Sequence, residues 1–381
     1  MRSGLLVLAM LVPSLASAHV KWFAASWDPS AAPVGLDRLL ASHGFLAMFL
    51  LTLAVVVASQ FADRRLAARQ ALQRFLAAAD LKTARFVPWI IRLGLVVYFT
   101  SIALYFRAEP IILTPELKSG VSWMPMVQLA IACGLLLRRG VMPACVLIVA
   151  LYGYAAHRYG WVHMLDYTFF LGVVALLSLE VLYGERRAGV GMLVLRITVA
   201  TSFMWVAAEK WIYPDWTHEI LSSLLPPVLT GFDVHFSCTA AGFVELALAF
   251  FILFGRTAAP TAAVVLLSFL LAAIPFVGPV DAIGHMPLVV ALAVLAVTKN
   301  HLLLVGSARQ VVTRLGAFLF PTTVVVLLVS YYYSHAAAIA SGALGHWPAT
   351  LSHVALAAAA GYWATYALYG VVAERRSHLA G

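Results

Sequence analysis

The chain is a succession of apolar blocks, each roughly 16–22 residues long, separated by short polar stretches. A block of that length crosses the ~30 Å hydrocarbon layer of a bilayer when helical. No water satisfies backbone polar groups there, so each block is expected to be a helix. The pattern predicts an all-α, polytopic transmembrane protein. Its spans are 43–60, 86–106, 123–137, 141–156, 163–183, 190–208, 239–255, 259–276, 282–298, 316–333 and 351–372, eleven in all.

The first 18 residues read differently. MRSGLLVLAMLVPSLASA has a basic start at Arg2, an apolar stretch over Leu5–Val12, a break at Pro13 and an A-x-A site at Ala16–Ala18. That is a secretory signal, too short to span. Cleavage after Ala18 leaves His19 as the mature N-terminus. A terminal histidine offers a metal both an amine and an imidazole nitrogen; equally, His19 is simply the residue after the cut.

Composition agrees with the pattern. Hydrophobic residues make up 63% of the chain and charged residues 11%, against about 25% charged in a soluble domain. The net charge of +9 does not mark a nucleic-acid binder, because the basic residues fall at alternate helix ends. Of the 25 lysines and arginines, sixteen lie at the predicted inner ends and six on the outer segments. By the positive-inside rule the mature N-terminus is periplasmic and the C-terminus cytoplasmic, in an inner membrane. The partner so implied is the lipid bilayer. Cys133, Cys145 and Cys238 are widely spaced, which speaks against a thiol oxidoreductase built on a vicinal pair.

The middle of the chain repeats. IIRLGLVVYF around Arg92 matches VLRITVATSF around Arg196 at an offset of 104. MVQLAIACGLLLRRG around Gln128 matches FVELALAFFILFGRT around Glu245 at 117, and Pro143 and Pro260 keep that spacing. His163-Met164 matches His285-Met286 at 122. The offsets grow only in outer loops, where insertion is tolerated. Two four-helix units result, 86–187 and 188–300, with an even helix number and so in parallel orientation. Before them come the signal peptide, 1–18, and a segment over 19–85 with the first helix and an amphipathic cytoplasmic loop. Residues 301–381 hold two further helices and a short tail.

On these residues the chain resembles the DoxX-like membrane protein family. The second unit carries the better likeness, in LRITVATSFMWVAAEKWIYP, GFVELALAFFILFG and DAIGHMPLVVALAV. The first departs from it, with Gln128 where the second has Glu245 and no counterpart of Lys210. The resemblance implies four-helix membrane units, some linked to quinones or to oxidation of sulfur compounds.

Ionisable groups inside a span cost at least ~2.5–3.5 kcal/mol on insertion scales, so they face a partner, water or a functional cavity. Glu245 is the most informative, since a short carboxylate does not snorkel well; Arg196 or Lys210 is the expected partner. Arg92 and Arg196 have the reach to snorkel to inner phosphates. Ten of the twelve histidines fall on the outer side. His163 with Asp166, and His285 with Asp281, put an imidazole and a carboxylate about one turn apart. That spacing suits mutual hydrogen bonding, or metal ligation with a supporting acid. Trp123, Trp161, Trp211, Trp216, Tyr331 and Trp347 fit an aromatic belt at the outer interface.

Three functional readings follow. The first is a quinone-linked subunit or accessory of a periplasm-facing redox system, with Glu245, Lys210, Arg196, His285 and Asp281 as the candidate chemical groups. The second is a periplasmic metal-handling protein, for copper, using His19, His163 and His285. The third is a non-enzymatic scaffold for membrane or periplasmic redox partners. No Walker loop, dinucleotide fingerprint, serine elbow or zinc-protease helix occurs, so whether the chain is an enzyme stays open.

Overall fold

Where apolar blocks alternate with polar punctuation, the computed structural model has helices. It describes residues 33–71, 74, 78, 83, 85–184, 188–217, 233–298 and 306–332. The predicted signal peptide, His19, Trp347, part of the predicted amphipathic loop and the span over 351–372 lie outside the described residues. Eleven helices are described: α1 (Leu36–Ala41), α2 (His43–Ala67), α3 (Val87–Tyr105), α4 (Met124–Leu136), α5 (Val141–Tyr159), α6 (Phe169–Tyr183), α7 (Ala188–Ile212), α8 (Val234–Phe254), α9 (Ala258–Val277), α10 (Pro279–Val297) and α11 (Gly306–Tyr331). Among the described residues the only β pairing is an isolated bridge between Ile111 and Lys118. Among the described residues seven helices are long and apolar enough to cross a membrane, namely α2, α3, α5, α7, α8, α9 and α10; α4, α6 and the last part of α11 are shorter apolar helices.

Local chemistry fixes several ends. Pro88, Pro125 and Pro279 stand in the first turns of α3, α4 and α10, where a missing N–H breaks no helical bond. Asp233 caps α8 by accepting from the Phe236 N–H. The start of α9 is capped from another helix. Asp63 of α2 accepts the backbone N–H groups of Arg256, Thr257 and Ala258 at 2.7, 2.7 and 3.0 Å, together with the Thr257 hydroxyl.

The helices pack as two rings. In the first, α3 packs on α4, α4 on α5, α5 on α6, and α6 returns to α3; in the second, α7 packs on α8, α8 on α9, α9 on α10, and α10 returns to α7. The rings meet along two main seams, α6 on α7 and α10 on α3, with a lesser contact between α6 and α10. Both seams need a small residue. A Cβ on Gly94 of α3 would sit 2.4 Å from Val290 of α10, and one on Gly172 of α6 would sit 1.9 Å from the Thr198 hydroxyl of α7. Close approach of this kind is how helices associate in lipid, where burial alone gives little drive. Helices α2 and α11 pack on each other and on α8, and α11 also reaches α7. Only 17% of the spanning part of α2 is buried, against 67% for α7, so α7 is central and α2 faces the surroundings with Leu46, Leu50, Leu51 and Val55.

Candidate functional site

Polar side chains gather at the two ends of the bundle. At the end with the more basic residues, the arginines within spans cap helix C-termini rather than reaching outward. Arg92 donates from Nε to the Leu135 carbonyl at 2.8 Å and from Nη2 to that of Leu136 at 3.1 Å, at the close of α4. Arg196 donates from Nη2 to the Thr298 carbonyl at 2.8 Å, just beyond α10. Terminal carbonyls have no intrahelical donor and carry the negative end of the helix dipole, so a guanidinium fork suits them. Arg196 is thus engaged away from Glu245. A groove of about 290 Å³ lies at this end between α2, α8 and α9, lined by Ser59, Asp63, Leu248, Phe251, Thr257 and Val265. Its carboxylate is the one that caps α9.

The opposite end carries the rest. Lys210 at the end of α7 reaches Glu245 of α8, Nζ to Oε2 at 2.8 Å, with both side chains buried. His285 and Asp281 pair on one face of α10, Nδ1 to Oδ1 at 2.8 Å, also buried. Glu209, beside Lys210 in sequence, accepts a 2.8 Å hydrogen bond from the Tyr331 hydroxyl of α11. Trp205 stacks on Tyr331 with ring centroids 4.6 Å apart, and Tyr213 stacks on Trp216 at 4.1 Å. Trp211, Trp216 and Tyr331 are therefore core residues rather than members of an interfacial belt; Trp123 and Trp161 are more than half exposed, as a belt requires.

The richest group is built by a loop and a short helix. Residues 106–123 between α3 and α4 fold inward. Ile112 donates to the Leu117 carbonyl at 2.7 Å, Leu117 to Thr114 at 3.0 Å and Ser119 to Pro110 at 2.8 Å. Thr114-Pro115-Glu116-Leu117 is a β-turn with proline second, where its fixed φ is favoured. Ile111, Ile112, Leu113 and Leu117 are fully buried. Surrounding helices grip the hairpin by its carbonyls. Tyr98 donates to Leu113, Gln128 Nε2 to Ile111 and Ile112 at 2.6 and 3.2 Å, and Arg158 to Ser119 at 3.0 Å. The turn thereby directs Glu116 inward.

Facing it is a 3-10 segment, His163–Tyr167, that precedes α6 and packs on α7. Tyr152 of α5 holds it by donating to the Met164 carbonyl at 2.6 Å. In a 3-10 helix positions i and i+3 eclipse, so His163 and Asp166 project on the same side. His163 Nε2 lies 2.5 Å from Glu116 Oε1, with side-chain exposures of 9% and 7%. One ligating atom each from Glu116, His163 and Asp166 falls within 4.8 Å of the others. Asp166 is buried.

Of the residues singled out from sequence, the structure brings together Lys210 with Glu245, His285 with Asp281, and His163 with Asp166. His163 and His285 do not share a group of potential ligands, and His19 lies outside the described residues. Glu116 and the Tyr331–Glu209 pair were not foreseen. The T-P-E-L turn at 114–117 was the available signal for Glu116, since a proline turn inside an outer segment marks a folded loop.

Compared with known proteins, the chain matches no family model, no curated protein and no solved structure.

Proposed function

We propose that this chain is a multi-pass inner-membrane protein that handles a metal ion at its periplasmic face, bound by Glu116, His163 and Asp166. The observation that carries the reading is the convergence of one imidazole and two carboxylates within 4.8 Å at a buried position. Three protein ligands leave coordination positions open, the condition for exchanging or activating something at the ion rather than only holding a fold. The orientation rests on the basic residues at the end away from this group. The full complement is eleven spans, with the mature N-terminus outside and the C-terminus inside.

Two parallel four-helix units, related by duplication, form the frame. The cyclic order of packing within each ring supports this, as does the reciprocal way the rings meet, first helix of one against last helix of the other. Gly94 and Thr198, at those two seams, stand 104 residues apart, the same offset as Arg92 and Arg196. The DoxX-like resemblance belongs to this frame.

The test is metal analysis of protein purified from native membranes in chelator-free buffer. Wild type is expected to carry about one ion per chain and His163→Ala to lose it. Equal metal in the two proteins sinks the reading. His19→Ala in the same experiment reads whether a terminal amine–imidazole chelate contributes.

A quinone-linked role is the second reading. It is favoured by the buried Tyr331–Glu209 hydrogen bond beneath stacked aromatic rings, since a quinone headgroup needs an apolar slot with a few polar partners. Extraction of the purified protein for bound quinone decides it.

A further inference from the structure

The donor set says which kind of ion the site takes. Resting on the metal-handling reading, we infer that Glu116, His163 and Asp166 bind a divalent cation of the zinc or manganese class and discriminate against cuprous copper. All three potential ligand atoms are nitrogen or carboxylate oxygen. Cuprous copper is soft and is selected by thiolate and thioether sulfur, whereas carboxylate and imidazole suit harder divalent ions.

No cysteine belongs to the ligand group among the described residues. Met164 lies between the two ligands of the 3-10 segment and is fully buried, about a third of a turn from positions 163 and 166, which eclipse. Of the three cysteines, Cys145 sits near the Val174 carbonyl and Cys238 near that of Pro214, and Cys133 lies on α4 near its inner end. None joins the ligand group.

Charge supports the same choice. Two carboxylates match a divalent cation in a buried setting, and a monovalent ion leaves excess negative charge where the dielectric is low. The source of the ligands adds a consequence. Glu116 comes from the 106–123 hairpin and the other two from the 3-10 segment that precedes α6, so the ion bridges a loop to a helical segment.

The experiment is competitive titration of the purified full chain in detergent, stripped of metal, with Zn²⁺, Mn²⁺ and, under reducing anaerobic conditions, buffered Cu⁺. Zn²⁺ or Mn²⁺ is expected to bind at one site. Glu116→Gln and Asp166→Asn, which keep side-chain volume, are each expected to weaken binding by about a hundredfold. Bound divalent ion is expected to slow proteolysis within 106–123 in wild type and not in Glu116→Gln. If either variant fails to fold, Glu116→Asp replaces it, with weakened divalent binding as the expected result.

Tighter binding of Cu⁺ that depends on His163 but not on Glu116 overturns this inference and leaves the metal-handling reading standing. Divalent binding indifferent to both carboxylate variants overturns it too. Binding of none of the three ions by wild type removes both.

Discussion

Lys210 Nζ lies 2.8 Å from Glu245 Oε2, with 2% and 1% of the two side chains exposed. This contact joins the first two helices of the second ring, from the last turn of α7 to the middle of α8. Removing one member strands the other charge in a low dielectric, at a typical cost of about 3–5 kcal/mol. Lys210→Met and Glu245→Leu are each expected to lower thermal stability in detergent by that order. The double variant is expected to recover most of the loss, because two apolar side chains of similar size satisfy the site without desolvating a charge. A double variant as unstable as the sum of the singles shows that the pair has another role.

Gln128 lies on the second helix of the first ring, as Glu245 lies on the second helix of the second. It donates to the Ile111 and Ile112 carbonyls at 2.6 and 3.2 Å, a task for an amide N–H and not for a carboxylate. Gln128→Glu sets an acid against two carbonyl oxygens. It is expected to cost about 2 kcal/mol and to loosen the hairpin that carries Glu116. Both melting and proteolysis within 106–123 read it; unchanged proteolysis contradicts the bracing role.

His163 and His285 each precede a methionine and differ in setting. The first faces Glu116 at 2.5 Å and the second faces Asp281 on its own helix at 2.8 Å. His163→Gln is expected to abolish metal content in the purified protein, and His285→Gln to leave it unchanged. Equal loss in both variants means that the ion is held elsewhere.

Tyr331 links α11 to α7 by donating to Glu209 at 2.8 Å. Tyr331→Phe keeps the ring on Trp205 and deletes only the hydroxyl. Removing a hydrogen bond from a buried carboxylate costs about 1–3 kcal/mol, so the variant is expected to melt earlier by that order. Glu209→Gln, which still accepts, is expected to be milder. The opposite ranking shows that the carboxylate acts through something other than this bond.

Asp63 on α2 receives three consecutive backbone N–H groups at the start of α9. Asp63→Ala is expected to cost about 1–2 kcal/mol, as for a lost helix cap. Protease sensitivity of the 255–258 connection checks it; no change there separates Asp63 from α9 capping.

The sequence by itself determined the class of structure. Block length, low charge and the demand that backbone groups be satisfied in lipid leave a helical polytopic chain, and seven of the described helices are long and apolar enough to span. The 86–106 and 141–156 blocks became α3 and α5 within a few residues, because Pro88 and Gly160 mark their ends. The partnership of Lys210 with Glu245 was legible too, since a buried carboxylate near a lysine-bearing helix end has few ways to be satisfied. The tertiary structure alone decided how residues distant along the chain were combined. Arg92 and Arg196 are long enough to reach lipid phosphates, and only packing shows them bonded to the ends of α4 and α10. Tyr331 carries the composition of a belt residue, and the approach of α11 to α7 made it core. Glu116 lies 47 residues before His163, in a loop without helical periodicity. Its inward turn depends on Tyr98, Gln128 and Arg158 gripping carbonyls from three helices, a relation that no local pattern encodes.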